Sequence, residues 1–163
     1  MTFATYVYRR LPALVRTATA ICGDQHLAEE LVQDVLVKLH RHWAAVSEMD
    51  NLDAYARRML VNETISWRRK WARQVPTSEV GSDGRSPDHA EQVTDRQVLR
   101  TEVAKLPHRQ RVALALRYFD GLSDADIAAA MNCAESSVRS YISRGLAGLR
   151  IELADFIATG GTR

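Results

Sequence analysis

The chain has 163 residues, of which 46% are hydrophobic and 26% are charged, and its formal net charge is +2. This length suffices for one ordinary domain or two small ones, and the small net charge excludes a protein that is basic throughout, such as a nucleic-acid-coating polycation. Its two cysteines cannot build a disulfide framework, and we find no signal peptide and no apolar run of membrane-spanning length. We therefore expect a cytoplasmic protein with reduced thiols.

Helical periodicity predicts three helices in the first half of the chain, at residues 4–22, 26–43 and 53–73. The pair Gly23 and Asp24 separates the first two helices, and Asn51 lies just before the third. The second predicted helix has an apolar side that belongs in a core. Its opposite side carries Glu30, Gln33, Asp34, Val37 and Arg41. Such an acidic and amide face can dock a protein partner, or it can be an ordinary solvated surface.

The third predicted helix carries a polar stripe with a basic end. Residues at three- and four-residue spacing line up on one face: Arg58, Asn62, Ser66, Arg69 and Arg73. Trp67 and Trp71 lie beside this stripe, four residues apart, within the acid-free run 66–74. Aromatic rings among arginines can stack on unpaired bases, although the tryptophans can also be core residues.

Turn formers with almost no apolar content follow the third helix. This composition predicts a linker at residues 75–87 that divides the chain into two helical domains, 1–74 and 88–163. We find no credible strand, so the predicted fold is all-α, with two small helical domains joined by a flexible linker.

The second domain has the layout of a helix-turn-helix preceded by entry helices. After a helix predicted at 88–105, Pro107 suits the first turn of the next helix and Gly121 suits its end. Ser123 and Asp126 then form a capping box that opens a helix at 125–131. A last helix is predicted at about 135–153, in the position of a DNA-recognition helix.

That last helix is amphipathic. Its apolar stripe comprises Val138, Ile142, Gly145, Leu146 and Leu149, and its other side comprises Ser136, Arg139, Ser140, Ser143 and Arg144. Arginines and hydroxyls on one face can reach base edges and phosphates in a major groove. The alternative is a solvated amphipathic helix without DNA contacts.

The sequence has no Gly-rich phosphate loop, no nucleophile motif and no spaced carboxylate pair with a partner base. We therefore expect no enzymatic activity, no catalytic residue, no metal site and no cofactor.

Three ordered blocks of residues resemble the extracytoplasmic-function (ECF) sigma factors, a compact group of the bacterial sigma-70 family. The first block, which resembles regions 2.1 and 2.2, comprises Gly23, Asp24, residues 28–34 and Trp43. The second block, which resembles regions 2.3 and 2.4, comprises Tyr55, Arg57, Arg58, Val61, Asn62 and residues 67–69. The third block, which resembles region 4, comprises residues 106–107, 109–111, 116–118 and 136–140, together with Arg144. The likeness covers nearly all of the chain, from about residue 3 to residue 150.

This resemblance implies two partners, core RNA polymerase and promoter DNA. Residues 1–74 would then form region 2, which binds the polymerase and recognises and melts the −10 element, and residues 88–163 would form region 4, which reads the −35 element. The implied contacts with the β′ clamp helices are Glu30, Gln33, Asp34 and Val37. The residues expected at −10 DNA are Arg58, Asn62, Ser66, Trp67, Arg68, Arg69, Lys70 and Arg73. The residues expected at −35 DNA are Ser136, Ser137, Arg139, Ser140, Ser143 and Arg144. The family also makes contact with the β subunit an expectation, and an anti-sigma factor is a further possible partner.

The chain departs from the family pattern at the helix-turn-helix. Asn132 stands where relatives usually have Gly, and Ala134 stands where a serine commonly caps the recognition helix. Ser136 and Ser137 replace the common Gly-Thr pair, so the −35 specificity of relatives does not transfer. Two alternatives remain open: a stand-alone helix-turn-helix regulator that binds operator DNA as a dimer, and a helical adaptor without DNA contacts.

Overall fold

The computed structural model describes residues 1–74 and 101–158, with side chains as far as Arg150, and within these ranges every regular element is helical. The all-α prediction is therefore confirmed. The predicted linker at 75–87 and most of the helix predicted at 88–105 lie outside the described residues, although residues 101–105 are helical.

The first domain begins with two helices that are capped as the sequence suggests. Helix α1 spans Phe3–Cys22 and ends at Gly23, whose φ of 73° places it in the left-handed region that glycine adopts without strain. Helix α2 spans Gln25–Arg41. Its N-cap, Asp24, accepts hydrogen bonds from the backbone N–H of His26 at 2.8 Å and of Leu27 at 3.2 Å.

The prediction that one helix runs to Trp43 was wrong, because the chain breaks at His42. That residue leaves the helical conformation, with φ −112° and ψ 17°, and a short helix, α3, follows over Trp43–Val46. The break turns the indole of Trp43 toward α1, where ring centroids lie 5.3 Å from Phe3 and 5.6 Å from Tyr6. Aromatic packing against α1 thus replaces the last turn of a continuous helix.

Helix α4 spans Leu52–Gln74 and completes the first domain. The Asn51 side chain accepts a hydrogen bond from the backbone N–H of Ala54 at 3.0 Å and so fixes where α4 begins. Buried residues of α1–α4 form one apolar cluster, which includes Leu14, Ala18, Ala28, Val32, Val35, Leu39, Val46, Ala56 and Leu60.

The second domain contains the predicted helix-turn-helix. Helix α5 spans His108–Tyr118 after Pro107, α6 spans Asp124–Met131, and α7 spans Glu135–Ala158. Ser123 caps α6 by accepting a hydrogen bond from the backbone N–H of Asp126 at 3.2 Å. Asn132 ends α6 with φ 53°, in the left-handed region that a family glycine would also occupy.

The two domains pack against each other. A second apolar cluster joins Ile21 of α1 and Val61 of α4 to the second domain, and its buried members there include Val112, Leu116, Ile127, Met131 and Val138. Three residues at this interface are less than 3% exposed: Ile21 and Val61 of the first domain and Leu116 of the second. These three side chains are therefore as well buried as those of a domain core.

Asp120, just after α5, is the polar centre of this interface. Its Oδ1 accepts a hydrogen bond of 2.8 Å from the Thr17 hydroxyl, and its Oδ2 lies 3.6 Å from Nε of Arg57. Thr17 is only 1% exposed, so its hydroxyl depends on a protein partner. Farther along α4, the Thr64 hydroxyl lies 3.3 Å from Nε2 of His108.

Candidate nucleic-acid and polymerase interfaces

The outer face of α2 is accessible, as its periodicity predicts. Glu30, Gln33, Asp34 and Val37 are all exposed, and Val37 keeps 51% of its surface in solvent. The opposite side of the helix is buried against α1 and α4. Lys38 forms a close ion pair with Glu63, which ties α2 to α4 and fixes the direction of this face.

The polar stripe of α4 also faces outward. All five of its members are exposed: Arg58, Asn62, Ser66, Arg69 and Arg73. Leu60, on the other side of the helix, is 1% exposed. The stripe is therefore a continuous accessible surface along one side of α4.

The two tryptophans beside the stripe stack on each other. Their ring centroids lie 5.6 Å apart and their planes differ by 14°. Trp71 is 41% exposed and Trp67 is half-buried, and neither ring belongs to the two apolar clusters formed by the described residues. Arg68 is half-buried while Lys70 is exposed. An accessible aromatic surface beside basic residues is suited to stacking on an unpaired base. These two rings therefore fit that role better than the role of core residues.

The predicted recognition face of α7 is open as well. Ser136, Arg139, Ser143 and Arg144 are exposed, and Ser137 and Ser140 are half-buried. Helix α7 can lie close to α5 because Gly145 faces it: a Cβ at this position would meet Cδ1 of Leu114 at 2.8 Å. The close approach turns the arginine-bearing side of α7 outward.

The thiol of Cys133 lies in the turn between α6 and α7. Burial raises its pKa, and the positive charge of Arg109 opposes this shift. A raised pKa keeps the group protonated at neutral pH, so Cys133 acts here as a small apolar residue in the turn.

No helix within residues 1–74 or 101–158 has the length and apolar content that crossing a bilayer requires.

Comparison with known protein families gives two matches in the expected order. Residues 6–74 match the family described as sigma-70 region 2, and residues 96–149 match the family described as sigma-70 region 4.

Individual relatives agree with this result. The RNA polymerase sigma-E factor of Streptomyces avermitilis is 34% identical over 152 residues, which cover 93% of this chain and 84% of the relative. The ECF RNA polymerase sigma factor SigL of Mycobacterium tuberculosis is 29% identical over 154 residues, which cover 90% of this chain and 85% of the relative. The chain belongs to the sigma-70 family, in its ECF group.

A solved structure is also similar to this sigma factor over both domains. The sigma factor RpoE from Bartonella quintana, in complex with the anti-sigma factor NepR, has a TM-score of 0.77 and 30% sequence identity. The match covers 93% of this chain and 96% of RpoE.

Membership in the family establishes the function. This ECF sigma factor binds core RNA polymerase and promoter DNA and directs promoter-specific transcription initiation, and it is not an enzyme. Of the alternatives left open by the sequence, the stand-alone regulator and the adaptor are both set aside.

Two ionic groups of the sigma factor escaped sequence reasoning. One is Asp120 with its partners across the domain interface, and the other is Asp124, which contacts Arg117 and Arg139. Periodicity relates residues within one helix, whereas these contacts join residues of different helices and loops. Arg117 and Asp124 flank the turn between α5 and α6, but an arginine and an aspartate on either side of a turn are too common in sequences to predict an ion pair.

Proposed function

We propose that the three exposed faces divide the work of promoter recognition. The face of α2 carrying Glu30, Gln33, Asp34 and Val37 binds the β′ clamp helices of core polymerase. The stripe of α4 holds melted −10 DNA, and the outer face of α7 reads the −35 element as duplex. In this proposal the first domain is region 2 over residues 1–74, the segment 75–87 is the linker, and region 4 covers residues 88–163.

The observation that carries this proposal is the difference in chemistry between α4 and α7. Helix α4 ends in a stacked tryptophan pair beside exposed arginines, which suits bases that have left the duplex. Between residues 135 and 150, where its side chains are described, helix α7 presents arginines and hydroxyls outward, which suits base edges in a groove. The one aromatic residue in that range, Tyr141, packs against the second apolar cluster. One domain is thus equipped for single strands and the other for duplex.

The proposed −10 residues fall into two roles. Asn62 and the Trp67–Trp71 pair receive unpaired bases and offset the few kcal/mol that unstacking a base costs. Arg58, Ser66, Arg68, Arg69, Lys70 and Arg73 contact the backbone or steady the strand. Phosphate contacts of this kind give an affinity that falls as salt rises, so the free factor should bind promoters weakly.

The packed arrangement of the two domains does not suit simultaneous reading of both elements. Their names place the elements about 25 base pairs apart, which is roughly 85 Å of duplex at 3.4 Å per base pair. A compact chain of 163 residues has a radius of gyration of about 15 Å and thus a diameter of roughly 40 Å. We infer that the domains separate at the promoter.

An anti-sigma factor is the partner we propose for the packed arrangement. A single superposition relates this chain to RpoE over 93% of its length with a TM-score of 0.77, and that RpoE is bound to an anti-sigma factor. The likeness over both domains supports a packed state that such a partner holds. The factor acts in the cytoplasm, where the polymerase lies, and core binding extends to the β subunit.

The test is run-off transcription with core polymerase on genomic fragments that include the region upstream of the factor's own coding sequence. Wild-type protein should yield specific transcripts that core polymerase alone does not. Trp71→Ala should lower transcription from duplex templates severalfold and lose most of that defect on templates premelted at −10. Arg139→Ala should lower transcription only from promoters with a −35 element.

A matched control is Arg16→Ala, which removes an exposed arginine outside all three faces. It should transcribe like wild type. Equal defects of Trp71→Ala on duplex and premelted templates would contradict the role of α4, and a wild-type response to Arg139→Ala would contradict that of α7.

A further inference from the structure

The carboxylate of Asp124 joins the three helices of the helix-turn-helix domain. Asp124 is the first residue of α6, and its Oδ1 forms a close ion pair with Nη2 of Arg117, near the end of α5. Its other oxygen, Oδ2, lies 3.6 Å from Nη1 of Arg139 on α7. The Arg117 and Asp124 side chains keep 32% and 29% of their surface, so this pair is partly shielded from solvent.

Both acidic neighbours of Arg139 lie at the same nitrogen. Asp124 and Glu135 approach Nη1, at 3.6 Å and 4.0 Å respectively. The guanidinium is planar, and its Nε–H and one Nη2–H point along the edge away from Nη1. That edge can donate two parallel hydrogen bonds, the arrangement with which arginine recognises O6 and N7 of guanine.

We propose that Asp124 is a positioning residue for −35 recognition, which holds Arg139 so that its Nε and Nη2 edge meets a guanine in the major groove. Arg117 anchors the carboxylate through Oδ1, the oxygen that Arg139 does not contact, so Asp124 is fixed before DNA arrives. An arginine that is already oriented loses less side-chain freedom on binding than one that is free in solution. The inference rests on the proposed role of α7 and adds the residue that aims it and the base it prefers.

The test measures base preference instead of total output. A promoter library randomised across the −35 element is transcribed by core polymerase with each variant, and the transcripts are sequenced. Arg139→Ala should abolish a guanine preference at one position. Asp124→Asn should weaken the preference at that same position by roughly three- to tenfold, a part of what a bidentate arginine contributes, and leave the other positions unchanged.

Asp126→Asn is the matched control. It removes the same charge from the same turn of α6, but the Asp126 carboxylate accepts a hydrogen bond from the Ser123 hydroxyl at 3.0 Å and contacts no arginine in the described part of the chain. Any general gain from weaker repulsion of phosphates appears in both variants. Only Asp124→Asn should change the guanine preference.

The outcomes separate this inference from the proposed function. If Arg139→Ala loses the preference and Asp124→Asn keeps it, the positioning role is wrong while α7 still reads DNA. If Arg139→Ala itself changes no preference, the proposed role of α7 fails. Thermal unfolding verifies that each variant is folded, and Asp124→Ser, which keeps a hydroxyl at the helix start, replaces Asp124→Asn if that variant is not.

Discussion

At the scale of single residues, Tyr6 is a side chain whose chemistry the fold changes. It is 2% exposed, and its ring packs against Trp43. Burial raises the pKa of its hydroxyl to about 12 from 10.0, and the negative charge of Asp53 adds to the shift. Asp53, in the first turn of α4, also pairs with Nε of Arg10 on α1 at 3.0 Å. This ion pair places the Asp53 carboxylate next to α1, the helix that carries Tyr6.

This raised pKa predicts a loss of stability in strong alkali. The unfolded tyrosine ionises near pH 10 while the folded one holds its proton to about pH 12. The contribution of the protonated Tyr6 hydroxyl to the free energy of unfolding is therefore complete below pH 10. It is lost between pH 10 and 12, at up to about 1.4 kcal/mol per pH unit. Urea unfolding of wild type and Tyr6→Phe across this range should show a shallower decline in the variant.

Tyr8→Phe provides the control, because Tyr8 is 86% exposed and lies on the same helix. Identical slopes for wild type and Tyr6→Phe would show that the buried hydroxyl does not govern the decline.

The backbone conformation at the turn of the helix-turn-helix could be predicted from the sequence. Asn132 adopts the left-handed conformation that the missing family glycine would have provided. That outcome was predictable, because only a few residue types tolerate positive φ. The orientation of the Arg139 side chain could not be predicted, because it depends on Asp124 from another helix.

At the scale of elements, α7 begins without a side-chain cap. The carbonyl of Ala134 accepts hydrogen bonds from the backbone N–H of Ser137 at 3.0 Å and of Val138 at 3.2 Å, which makes Ala134 the N-cap residue. A methyl group cannot accept the hydrogen bonds that serine accepts at this position. Glu135 in the first turn offsets part of the loss through the helix dipole.

Ala134→Ser should therefore stabilise the protein by about 1 kcal/mol, or roughly 2–4 °C in Tm. Thermal unfolding monitored by circular dichroism measures the shift. Ala129→Ser, at an exposed position inside α6, should give no gain, since serine is a poorer helix former than alanine. A gain from both substitutions would point to a general effect of serine instead of a cap.

The helices themselves were largely predictable, with one instructive failure. Apolar spacing placed α1, α4 and the starts of α2 and α7 close to their observed bounds, and the capping box at Ser123 and Asp126 placed α6. It missed the break at His42, because the residues that favour it, Phe3 and Tyr6, lie about forty positions earlier in the chain. A local pattern does not contain such a packing preference.

At the scale of the whole molecule, the interface between the domains combines an apolar cluster with Asp120 and its two partners. The hydrogen bond from Thr17 is short and shielded, and Arg57 lies on the other oxygen of the carboxylate. Buried hydrogen bonds to a charged group contribute more than exposed ones.

A double-mutant cycle on Thr17→Val and Asp120→Ala should therefore give a coupling free energy of about 1.5 kcal/mol, measured by urea unfolding. The same cycle with Asp126→Ala in place of Asp120→Ala should be additive, because Asp126 is bonded by Ser123 instead. Additivity in the first cycle would mean that the interface does not depend on this hydrogen bond.

The proposed separation of the domains predicts a change of distance on assembly with the polymerase. Donor and acceptor dyes at Arg9→Cys on α1 and Ala147→Cys on α7, with Cys22 and Cys133 replaced by alanine, report it by energy transfer. Both labelled positions are exposed and lie outside the proposed contact residues. Energy transfer should fall when core polymerase is added, and an active holoenzyme with unchanged transfer would contradict separation.

The helices, most of their caps, the helix-turn-helix and the membership in the ECF group could all be predicted from the amino-acid sequence, because they depend on spacing and on residues close together in the chain. It also placed the outward faces of α2, α4 and α7, since each follows from the apolar stripe opposite. How the two domains pack against each other could not be predicted in this way. Ile21 and Val61 belong to helices of the first domain, yet they pack against the second domain. Such pairings depend on side chains far apart in sequence, whose complementarity exists only once the helices are assembled.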